Sequence, residues 1–111
     1  MRREDSVRLE HRIDAARSAG HFVSGHARQD LDSDPMLRFA LVRAIEIIGE
    51  AASRLSPEAR SLMPSVPWPA LVAMRDRLIH AYFDVDLDIL WNTATIESPT
   101  LLALLSPFEP P

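Results

Sequence analysis

The sequence predicts an all-α fold, an antiparallel bundle of four to five helices, and three observations predict it. Alanine, leucine and arginine are the commonest residues in a chain of 111 that holds only 3 glycines, a composition of strong helix formers. Apolar residues recur at steps of three and four along four separate stretches, the period of one helix face. Prolines sit just inside the starts of several stretches, where the missing amide has no helical partner to lose.

The first helix is expected over residues 5–24. Leu9, Ile13, Ala16, Gly20 and Val23 mark its inward stripe, Asp5 or Ser6 is its candidate cap, and Gly25 its candidate stop. Residues 27–34 read as a polar loop. The second helix opens at Asp34-Pro35, a capping side chain followed by proline in the first turn. Leu41, Ile45, Ile48, Ala52 and Leu55 form a seam suited to helix packing. Phe39, Val42 and Ile47 lie off that seam, so this helix is expected to be covered on two sides, one of them by another chain. Gly49 stands in mid-helix, where glycine costs about 1 kcal/mol relative to alanine; with Ala51 and Ala52 it would let a neighbouring helix come close.

Ser56-Pro57-Glu58 starts a short helical turn, and Pro64 and Pro67 punctuate the connection after it. The third helix opens on Trp68-Pro69 and runs to residue 80 or 81. The fourth starts among Asp84, Asp86 and Asp88, acidic residues that complement a helix N-terminus. Its inward positions are Leu87, Leu90, Trp91, Ala94, Leu101 and Leu105, with a kink or interruption expected at Pro99. The tail from residue 106 reads as loose. One domain over residues 1–111 is expected, because a second core would be too small to stand alone.

Composition excludes several classes of chemistry. With no cysteine in the chain, disulfides, thiolate nucleophiles and cysteine-ligated zinc are ruled out, and a reducing cytoplasm is the expected compartment. No apolar run approaches the roughly 20 residues of a bilayer span. Asp84-x-Asp86-x-Asp88 is not a calcium loop, because Ile89 and Thr95 occupy the positions that need glycine and glutamate. His11, His21 and His26 lack ligand spacing, so neither a metal nor a cofactor is expected. The net charge of −4 argues against a broad nucleic-acid surface, since counterion release favours a basic one.

The chemically informative stretch is residues 74–83. Arg75 falls on the apolar face of the third helix with Trp68, Leu71, Val72, Leu78, Ile79 and Tyr82, where its charge needs a carboxylate, a carbonyl or a ligand phosphate. His80 lies about 140° around the same ideal helix. The two would meet only where the helix ends or distorts, or across a subunit interface. Together Arg75, His80 and Tyr82 offer a phosphate-binding fork, a proton shuttle near neutral pH and a hydroxyl. On spacing alone a structural reading competes, in which Arg75 pairs with Glu46 or Glu50 and His80 caps a helix.

Arg75-x4-His80-x-Tyr82 resembles the R-x4-H-x-Y motif of HepT-like toxins in the HEPN superfamily of small helical ribonucleases. The block from Glu46 to Ala52 resembles that family's second helix, Pro67-Trp68 precedes the motif helix as it does there, and residues 82–86 follow in the matching place. The likeness spans roughly residues 37–91. It implies a homodimer with a composite active site across the dimer cleft, cleaving RNA without metal. Arg75 and His80 would be catalytic, with His80 handling protons and Arg75 orienting and neutralising the phosphate. It also implies a partner antitoxin, a minimal nucleotidyltransferase of the MNT type, that adenylylates Tyr82 and so blocks the cleft. One departure is Asp76, where the family often has asparagine; as a supporting residue it would orient Arg75, and as an acid it would weaken RNA binding. The alternative function is a non-catalytic subunit that binds a nucleotidyltransferase or a nucleotide. A third is a helical dimer with a purely architectural role.

Overall fold

The computed structural model describes residues 2–80 and 86–109, with the backbone alone for residues 74 and 77–80. Described residues form α1 (Arg3–Val23), α2 (Asp30–Ser33), α3 (Pro35–Arg54), α4 (Pro57–Ser61), α5 (Trp68–His80), α6 (Leu87–Asn92) and α7 (Ser98–Leu105), and no strand occurs among them. A π-helical stretch, Thr93–Glu97, joins α6 to α7, so the last two run on as one interrupted rod. Among the described residues the principal helices therefore number four, as the sequence predicts, with α2 and α4 as single turns.

Local chemistry accounts for most boundaries. Asp34 caps α3 by accepting from the Leu37 amide at 3.2 Å, with Pro35 in the first turn. Ser56 caps α4 through the Ala59 amide at 3.1 Å, and the Asp86 carboxylate caps α6 through the amides of Asp88 and Ile89. Gly25, at φ 78°, follows the end of α1 in the left-handed region that other residues enter only with strain. Pro99 cannot donate and would crowd the Thr95 carbonyl one turn back. The interruption it causes takes the form of the π turn, in which the Ser98 amide reaches back to the Thr93 carbonyl and the helix widens by one residue.

Helices α1 and α3 form the central pair. They are antiparallel, since the start of α1 meets the end of α3: Arg8 donates to the Arg54 carbonyl at 2.8 Å. The predicted stripes are the core. Leu9, Ile13 and Ala16 of α1, the whole α3 seam, and Leu90, Ala94, Leu101 and Leu105 of the last rod are buried, while Leu87 and Trp91 are partly so. Met36 and Phe39 stay exposed at 81% and 73%, while Val42 and Ile47, also off the seam, pack against the core.

Three expectations are corrected. Residues 27–34 are not wholly loop: α2 forms there because Leu31 drops into the core, a single apolar residue too brief to show a period. Asp5 does not cap α1. It is buried and accepts from the amide and hydroxyl of Ser56, at 2.9 and 2.7 Å, and thus ties the first turn of α1 to the cap of α4. The tail is ordered as far as Glu109, because a bidentate ion pair with Arg17, at 2.6 and 2.7 Å, pins it to α1 after the 3₁₀ turn Ser106–Phe108.

The Ser56 hydrogen bonds hold the Asp5 carboxyl below its ordinary value, the Ala27 amide and then His26 do so for Asp30, and Arg17 for Glu109. A depressed carboxyl pKa adds stability above the unfolded value and loses it as pH falls through the folded one. Stability to heat is therefore expected to weaken as pH falls below about 4. Asp5→Asn should lower the neutral melting temperature and flatten that acid limb. An unchanged slope would rule out Asp5 as a contributor.

Candidate functional site

Arg75 leaves the buried side of α5, whose first turns are fixed by Trp68 and Leu71 in the core. The Trp68 indole donates to the Met63 carbonyl at 3.1 Å and so locks the start of the helix. From there the Arg75 stem crosses the backbone of α3 at Gly49. A Cβ built on Gly49 would run into Cβ, Cγ and Cδ of Arg75, the last two at 2.7 and 2.8 Å. The small residue foreseen as permitting a close helix is thus the bed on which this arginine lies.

At its far end the guanidinium is held by the next residue. Asp76 Oδ1 accepts from Arg75 Nε at 3.3 Å and from Nη2 at 3.1 Å. The Arg75 side chain is 25% exposed and that of Asp76 49%, so the ion pair stands at the surface rather than in the core. The alternative pairing with Glu46 or Glu50 does not form among the described residues; Glu46 bridges to Arg43 instead, at 3.3 Å. An arginine braced along its stem and at one edge, with Nη1 toward no partner among the described residues, presents a directed cation. That is what a phosphate site requires.

His80 lies on α5 at the limit of the described residues, and its side chain lies outside them, so the expected meeting of His80 with Arg75 falls outside the described residues. Tyr82 also lies outside them, with residues 81–85. No group of three or more histidine, aspartate or glutamate side chains suited to a metal occurs among the described residues, and no described helix is long and apolar enough to cross a membrane.

Two features escaped the sequence. A groove of about 580 Å³ runs between α1 and α3, lined by His11, Asp14, Phe22, Arg43, Ile47 and Glu50 among others; it mixes both signs of charge with an apolar floor. Spacing within either helix could not reveal it, because it exists only where the two meet. Arg12 is fully buried, with its guanidinium 4.8 Å from the centre of the Trp68 ring and no hydrogen-bond partner among the described residues. Burial and the nearby Arg60 push its pKa down to about 9, so it remains charged at neutral pH. Its place on the inward face between Leu9 and Ile13 was the available signal.

An all-α bundle of this kind is the fold that the resemblance to the HEPN superfamily implies. The family described as Ribonuclease HepT-like matches residues 12–107, and the chain belongs to it. A Thermococcus cleftensis protein named "Probable ribonuclease HepT" is 38% identical over 101 residues, 91% of this chain and 92% of its own. A protein of Caldanaerobacter subterraneus subsp. tengcongensis named as an RNase is 42% identical over 93 residues, 84% of this chain and 83% of its own. Another so named, from Methanocaldococcus jannaschii, is 33% identical over 89 residues, 80% and 82% of the two chains. No solved structure matches.

Proposed function

We propose that this protein is the toxin of a HepT/MNT-type pair, a metal-independent endoribonuclease that acts in the cytoplasm as a homodimer with no resident cofactor. The observation that carries the reading is Arg75 braced between Gly49 and Asp76, with its guanidinium at the surface, on the family's motif helix. In the reaction, His80 takes the proton of a ribose 2′-hydroxyl, whose oxygen attacks the adjacent phosphorus. Arg75 neutralises the charge that builds on the non-bridging oxygens. A second His80, from the partner protomer, protonates the 5′-oxygen as its bond to phosphorus breaks, leaving a 2′,3′-cyclic phosphate and a 5′-hydroxyl. Asp76 keeps the Arg75 fork oriented. Residues 1–111 act as one domain, a reading supported by the single cluster of buried apolar residues drawn from α1, α3, α5 and the last rod.

Tyr82, two residues after His80, is the site at which a nucleotidyltransferase antitoxin adds AMP, placing a nucleotide phosphate where the substrate phosphate would lie. The test is cleavage of total cellular RNA by purified protein in EDTA, with the ends of the products mapped. Cleavage leaving cyclic phosphates, and lost in His80→Ala, is the expected result. Intact RNA, with protein shown by mass spectrometry to carry no AMP, would overturn the enzyme reading. It would favour the non-catalytic subunit, for which the net charge of −4 and the half-neutralised Arg75 speak. Expression in a bacterial host separates the two as well: the enzyme predicts growth arrest relieved by His80→Ala, the binding subunit none.

A further inference from the structure

We infer that Gly49, on a helix that carries none of the reacting groups, is the positioning residue for Arg75; the inference rests on Arg75 being catalytic. The atoms a Cβ at position 49 would strike begin at the Arg75 Cβ. That atom is fixed by the α5 backbone, so no change of side-chain rotamer clears it. Any residue larger than glycine therefore pushes α5 as a whole away from α3, carrying Arg75, and His80 on the same helix, with it. The stem of Arg75 is too closely seated for the guanidinium to swing freely, and Asp76 fixes only one edge of the fork. Gly49 thus sets both the distance of the arginine from its surroundings and the path of its side chain. Glycine at a buried helix interior is otherwise unfavourable, since alanine is the better helix former. Gly20 on α1 provides the contrast, because a Cβ there meets nothing within 4 Å.

The test is a cycle of Gly49→Ala, Arg75→Gly and the double variant, with Gly20→Ala as control, each read for melting temperature and for kcat and KM on an RNA substrate. Gly49→Ala alone is expected to lower the melting temperature. In the Arg75→Gly background the same change is expected to raise it, because the obstructing stem is gone and helix propensity then favours alanine. Assayed well below its melting temperature, Gly49→Ala is expected to lose about a hundredfold in kcat with KM little changed, the size of effect that follows a misplacement of about 1 Å. Gly20→Ala should keep full activity. Equal destabilisation by Gly49→Ala in both backgrounds, or wild-type kcat in folded Gly49→Ala, overturns the inference. Should Arg75→Gly fail to fold, the Arg75 Nε–H signal of the wild-type protein decides. It is expected to be as rigid as backbone amides of α5, and mobility equal to that of the exposed Arg3 overturns the inference. Wild-type protein without RNase activity defeats the proposed function instead, while the stability cycle and the Nε–H signal still report on the contact itself.

Discussion

Arg75→Ala is expected to lower RNA cleavage by about 10²–10³-fold in kcat, the loss seen when one charge-stabilising donor is removed from a reacting oxyanion. The fold should survive, because the side chain is 25% exposed and ends in a surface ion pair. Arg75→Lys is the sharper comparison. Lysine keeps the charge but replaces a planar fork by a single ammonium, so it cannot meet Asp76 and a phosphate in two fixed directions at once. It should recover only a small part of the lost rate. Asp76→Asn separates orientation from charge: it removes an acid that repels RNA, so KM should fall, while the weaker bond to Arg75 lowers kcat. The measurement is single-turnover cleavage of one defined RNA by each variant, with circular dichroism to confirm folding. Wild-type rates from folded Arg75→Ala would remove this residue from the chemistry altogether.

Arg12→Met is expected to stabilise the protein, by up to the roughly 1–4 kcal/mol found when buried ion pairs give way to apolar groups of similar volume. Arg12 sits between Leu9 and Ile13, fully buried, and has no hydrogen-bond partner among the described residues. Its compensation there is the face of Trp68, at 4.8 Å, and such contacts contribute about 2 kcal/mol when desolvated, less than the several kcal/mol needed to strip an ion of water. The neighbouring Arg60 adds repulsion, in the direction that lowers the Arg12 pKa to about 9. At pH 7 the group is charged and the whole penalty is present. In a domain of this size 1 kcal/mol moves the melting temperature by about 4–8 °C, so calorimetry would resolve the gain. As pH rises above about 9 the wild type should close part of the gap, since the folded state binds its proton less tightly than the unfolded one. A melting temperature that falls in Arg12→Met would mean that the guanidinium has a compensating partner.

The sequence by itself determined the number of principal helices, their boundaries within a few residues and the identity of the core. These follow from interactions within four residues of one another. The α3 seam from Leu41 to Leu55 is buried as written, and the caps at Asp34, Ser56 and Asp86 close hydrogen bonds two or three residues away. The family, too, was legible, because its motif is a short run of neighbouring residues.

What only the tertiary structure decided lies where distant segments touch. Asp5 serves Ser56 rather than its own helix, Glu109 is claimed by Arg17, and Leu31 recruits a turn of helix to reach the core. The choice among Glu46, Glu50 and Asp76 as the partner of Arg75 was open to every carboxylate within reach of a long side chain. It was settled by the approach of α5 to α3 over Gly49. Helical period fixes which residues share a face, but not which face of another helix they meet. That depends on packing the whole core at once, and on side chains that are small enough to let two backbones come together.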